Sequence, residues 1–122
     1  MRLWILGIVL GLALSVQGAR AEAAISGAGV MSCSMYAKAF RIHPRETQWI
    51  FGAWAQGYMG GTNLTRITLL HQPGIDLAPP SLPWSAQQEI LNEYCNAHPL
   101  AQYFVAVLFL MGQLGFPPPI SR

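Results

Sequence analysis

The chain has 122 residues, of which 52% are hydrophobic and only 10% charged, with a formal charge of +2. Charged residues make up about a quarter of an ordinary domain, and no basic cluster is present to supply the phosphate-contacting face that nucleic-acid binding requires. The length admits a targeting segment and one domain, and excludes two full domains.

The N-terminus opens with Met1-Arg2, an almost entirely apolar run from Leu3 to Val16, and then Gln17-Gly18-Ala19-Arg20-Ala21. A positive start, a short apolar core and small residues at −3 and −1 define a signal peptide over residues 1–21, cleaved before Glu22, with cleavage after Ala23 or Ala24 as alternatives. The apolar run is shorter than the roughly 20 residues of a spanning helix, so no stable membrane anchor is expected after cleavage. Val30-Met31-Ser32-Cys33 loosely imitates a lipid-attachment box, but Cys33 lies too far beyond Val16 for that role. Residues 22–122 are then a single domain. Loss of Arg2 and Arg20 leaves five basic residues (Lys38, Arg41, Arg45, Arg66, Arg122) against five acidic ones (Glu22, Glu46, Asp76, Glu89, Glu93), a neutral balance. A neutral, apolar-rich surface associates readily, which points to a homodimer or a protein partner.

After an Ala/Gly/Ser-rich leader to Val30, Cys33, Tyr36, Ala37 and Phe40 recur on one face of a short helix within Ser32–Phe40. His43-Pro44 interrupts it, because a residue before proline is pushed out of helical geometry. A longer helix starts near Pro44 and runs past Tyr58, with Ile50, Ala53, Trp54, Tyr58 and Gly61 on one face and Trp49 and Phe51 widening it. Ala53, Gly57 and Gly60/Gly61 form a small-residue strip expected to admit another helix. Thr62 to Leu70 is open between strand, on its β-branched content, and continued helix. From His71 to Trp84 the breakers Pro73, Gly74, Pro79, Pro80 and Pro83 specify a loop, long enough to suggest a function. Ser85-Ala86-Gln87-Gln88 matches a capping box, and the helix it opens carries Leu91, Tyr94, Cys95 and His98 on one face. Pro99 suits the first turn of a last helix that is almost wholly apolar through Leu114 and is therefore central or buried by association. Gly115 and Pro117-Pro118-Pro119 end it. The fold class is all-α, a small bundle of about four helices.

An exported chain with two cysteines favours a structural Cys33–Cys95 disulfide, with two free thiols or an intermolecular bridge as the alternatives. Closing this 62-residue loop would stabilise by about 4 kcal/mol in the chain-entropy account. Such a bridge also withholds both thiolates from nucleophilic chemistry. His43, His71 and His98 lack metal-ligand spacing, and His98 suits a helix C-terminus. Glu89 and Glu93 read as a solvated face. No nucleophile elbow or phosphate loop exists, so no catalytic residue, metal ligand or cofactor site is expected and the chain does not read as an enzyme.

Cys33 with Tyr36, Trp54-x-x-Gly57-Tyr58-x-x-Gly61-x-Asn63, and Tyr94-Cys95-x-x-His98-Pro99-Leu100 resemble the Rap/Tai immunity proteins of type VI secretion, and more distantly the Hde acid-stress chaperones. The resemblance covers roughly residues 29–111. It implies a helical bacterial protein of the periplasm or secreted medium, with one disulfide joining two helices and an immunity-like, protein-binding role. The apolar loop residues Ile75, Leu77, Leu82 and Trp84 would then be the partner-binding surface. The alternative function is a periplasmic acid-stress chaperone that opens as its carboxylates and histidines protonate.

Overall fold

A computed structural model describes residues 24–118; the signal peptide expected over residues 1–21 lies outside the described residues. The fold is all-α, and the described residues form four helices in chain order: α1 (Cys33–Ile42), α2 (Pro44–Thr68), α3 (Trp84–Ala97) and α4 (Tyr103–Gln113), preceded by a 3-10 turn at Gly27–Val30. α1 packs on α2 and α3, α3 on α4, and the 3-10 turn joins α2 to α4.

Local chemistry sets these boundaries. Ser32 caps α1 by accepting a hydrogen bond from the Met35 amide at 3.2 Å, satisfying one of the orphan donors of a helix start. His43 serves both as the end of α1 and the cap of α2, where its carbonyl accepts from Thr47 N at 3.0 Å. Pro44, which lacks an amide to orphan, follows as the first residue of α2. Continuity wins over β-propensity between residues 62 and 68. The hydroxyls of Thr62, Thr65 and Thr68 bond back to the carbonyls four residues earlier, at 2.9, 3.1 and 2.8 Å, so the threonines are accommodated in the helix.

The start of α3 differs from the sequence expectation. The helix begins at Trp84 with Pro83 as its cap, and Pro83 O accepts from Gln87 N at 3.0 Å. Ser85 does not cap, and the Gln88 amide points into the core rather than back along the chain. The last helix also starts later than Pro99. The carbonyls of Pro99 and Ala101 accept from the amides of Ser34 and Cys33, at 3.0 and 2.8 Å, while Tyr103 N donates to Met31 O at 2.8 Å. Residues 99–102 therefore serve the N-terminus of α1 before the chain enters α4. Gly115, with φ +96°, ends α4 in the left-handed conformation that glycine adopts without strain.

The core joins Cys33 and Tyr36 of α1, Phe51, Ala55 and Met59 of α2, Leu91 and Cys95 of α3, and Tyr103, Ala106, Val107, Leu110 and Met111 of α4, closed by Phe116. Burying each of the larger side chains contributes about 1.5–3 kcal/mol. The Cys33–Cys95 disulfide is formed, with Cα atoms 4.6 Å apart and both cysteines fully buried. It ties the first residue of α1 to the last turn of α3, and Cys95 lies on the same buried stripe as Leu91.

The buried stripe of α2 is Thr47, Phe51, Ala55 and Met59, not the expected Ile50–Gly61 face; Trp49 and Ile50 are 76% and 62% exposed. The helix is apolar over most of its circumference, so periodicity left its rotation underdetermined. The tight His43 junction brings α1 against the Thr47/Phe51 side, and this fixes the rotation.

Candidate interaction surface

Two buried polar side chains organise the interior. Tyr36 Oη donates to Asn92 Oδ1 and accepts from Gln88 Nε2, while Tyr103 Oη donates to Phe51 O at 3.3 Å. Tyr36, Phe51 and Tyr103 form a mutual aromatic cluster, with ring centroids 4.9–5.0 Å apart. Burial pushes both phenols well above the usual tyrosine range; hydrogen bonding from Gln88 offsets a little of this at Tyr36, and the neighbouring Tyr36 adds to it at Tyr103. Both are neutral structural groups.

The loop that follows α2 is fastened to the body at three points. Asn63 and Ile75 exchange two hydrogen bonds, Asn63 Nδ2 to Ile75 O and Ile75 N to Asn63 Oδ1, each at 2.8 Å. Gln87 Nε2 donates to Leu77 O at 2.8 Å and Leu82 O at 2.9 Å. Gly74 lies so close to Ile67 that an added Cβ would come within 2.9 Å of its Cδ1. Ile75, Leu77, Leu82 and Trp84 are each partly buried and packed against the core, so the loop's apolar side chains face inward. Its outer surface is made by exposed Asp76, Ala78, Pro80, Ser81 and Pro83. The sequence motif around Asn63 gave no hint of its partner, because the clasp joins a helix to a loop twelve residues away.

The open apolar surface includes Trp49, Ile50, Leu64 and Ile67 of α2. A groove of about 320 Å³ is lined by Gln48, Trp49, Gly52, Ala53, Gln56 and Trp84. A second, of about 400 Å³, runs on the other side of Ala53 and is walled by Trp54, Gly57, Tyr58 and residues 24–26. Trp54 stacks on Tyr58 with centroids 5.2 Å apart and donates its indole N–H to Ser26 O at 2.8 Å. The strip expected to admit a neighbouring helix has none among the described residues. Ala53, Gly57 and Gly61 are exposed, and a Cβ on Gly57, Gly60 or Gly61 would meet nothing within 4 Å. Close approach occurs instead at Gly29, beneath the Trp54 ring, and at Gly52, beneath Trp84.

His43, His71 and His98 are exposed and dispersed; His98 ends α3, where its ring stacks on Tyr94 at 4.2 Å. Glu89 and Glu93 are exposed. Among the described residues no group of three or more His, Cys, Asp or Glu is placed to hold a metal ion, and no helix is long and apolar enough to cross a membrane. Neither a protein-family model, a curated protein nor a solved structure matches the chain.

Proposed function

We propose that the chain is an exported protein-binding module, immunity-like in its mode of action, that receives a helix of a partner protein on the outer face of α2. The observation that carries this reading is Trp49, 76% exposed beside an open strip of small residues and flanking grooves. A large aromatic side chain that contributes nothing to its own core is the kind of residue that anchors interfaces. Ala53 and Gly57 leave room for a second helix to approach closely, and the low charge of the surface keeps the desolvation cost of docking small. Of the four loop residues expected to contact a partner, Trp84 also lines one of the grooves. Ile75, Leu77 and Leu82 hold the loop in position behind it.

The test uses two substitutions that leave the core untouched. Trp49→Ser removes the anchor from an exposed site, where stability changes stay within about 0.5 kcal/mol. Gly57→Leu fills the strip while improving helix propensity by nearly 1 kcal/mol. Immobilised mature wild type is expected to retain one defined partner from periplasmic extract, or a second copy of itself, and both variants are expected to lose it while melting at or above the wild-type temperature. Equal recovery by all three proteins would refute the assignment.

A further inference from the structure

The C-terminal half of α2 and the end of α4 enclose a separate groove of about 650 Å³. This lies within the range of about 300–1,000 Å³ typical of small-molecule sites. Its walls are apolar, formed chiefly by Tyr58, Leu70, Leu108, Phe109, Met111 and Phe116. Arg66 is the one charged residue that lines it, and among the described residues its Nε is buried with no hydrogen-bond partner. The Thr62 hydroxyl nearby is already donated to Tyr58 O at 2.9 Å.

We propose that this groove binds an aliphatic carboxylate, its hydrocarbon chain along the α2–α4 walls and its head group on the Arg66 guanidinium. The inference follows from a single cation set among apolar walls. A guanidinium remains charged at any ordinary pH, and apolar walls give that charge no counter-ion of their own. A carboxylate supplies an acceptor for the outer N–H groups of the Arg66 guanidinium, in paired geometry that suits its planar edge. A small hydrophilic anion would gain nothing from the apolar walls, whereas an uncharged hydrocarbon would offer the guanidinium no counter-charge. Only a molecule with both parts satisfies the walls and the cation together. The groove beside Trp49 shares no lining residue with this one, and only Tyr58 is common to it and the second groove on α2, so the two assignments are tested by different substitutions.

Calorimetric titration of the mature chain with decanoate, below its micelle concentration, against 1-decanol tests the proposal. Decanoate is expected to bind saturably, one per chain, and at least about tenfold more tightly than the alcohol. Arg66→Gln, which removes the charge but keeps a polar side chain, is expected to weaken decanoate about tenfold or more and to leave decanol little changed. Gly112 lines the groove, and a Cβ there would meet nothing within 4 Å. Gly112→Leu therefore blocks the groove without disturbing the helix, and is expected to abolish decanoate binding even if Arg66→Gln folds poorly. Absence of saturable binding, equal affinity for the alcohol, or full binding by Gly112→Leu would each overturn the proposal.

Discussion

Trp84, the first residue of α3, lies across Gly52 of α2 so closely that a Cβ on Gly52 would sit 2.9 Å from its Cζ2. This contact seats the end of the loop on α2 and shapes one wall of the Trp49 groove. Gly52→Ala must displace the indole, and overpacking of this kind costs about 1–3 kcal/mol, against nearly 1 kcal/mol gained in helix propensity. Gly57→Ala and Gly61→Ala meet no neighbour and should each stabilise by about 0.5–1 kcal/mol. Thermal unfolding of the three variants is expected to separate them by sign, with Gly52→Ala melting below wild type and the other two above it.

The Asn63–Ile75 clasp predicts a local effect. Asn63→Ala removes two hydrogen bonds and leaves the Ile75 amide and carbonyl without their partner, at about 1–3 kcal/mol. Because the loop is also held by Gln87, its release is expected to be local. Amide exchange should accelerate from residue 72 to residue 82 while α1 and α4 stay protected.

The two buried phenols make stability fall in alkali. Both pKa values are raised in the folded state, so their contribution is fully present below the unfolded value of about 10 and is lost as the pH rises above it. Above that point each tyrosine lowers stability by about 1.4 kcal/mol per pH unit, because only the unfolded chain gives up its proton. Tyr103→Phe should make the alkaline decline shallower, measured as denaturation midpoint against pH.

The disulfide closes a loop of 62 residues between α1 and α3. Cys33→Ala with Cys95→Ala is expected to lower stability by about 4 kcal/mol on the chain-entropy account. The guanidinium unfolding midpoint should drop accordingly, and added reductant should no longer affect it.

Helix positions followed from local chemistry that a sequence displays. Pro44, the His43 junction, the apolar run of α4 and the glycine at 115 lie where the structure uses them. The pairing of Cys33 with Cys95 was legible because only two cysteines are present. Other features depend on distant partners and were not legible. The rotation of α2 is set by α1 and could not be read from a helix apolar on most sides. Ser85 and Gln88 matched a capping pattern, but Tyr36 of another helix claims Gln88 and Pro83 takes the cap. The loop's apolar residues looked available for binding because sequence does not reveal that Asn63 and Gln87 draw the backbone in and turn Ile75, Leu77 and Leu82 onto the core. Periodicity places Trp49 only at the margin of one helix face, and its exposure follows from the rotation of α2.

The central claim is that Trp49 and the strip beside it meet another protein. A photo-crosslinking amino acid placed at position 49 of the chain expressed in cells tests this most directly, with Lys38, exposed on α1, as the control position. Position 49 is expected to give one discrete adduct that disappears when Gly57→Leu is added, and position 38 is expected to give none. No adduct at 49, or the same adducts at both positions, would contradict the account.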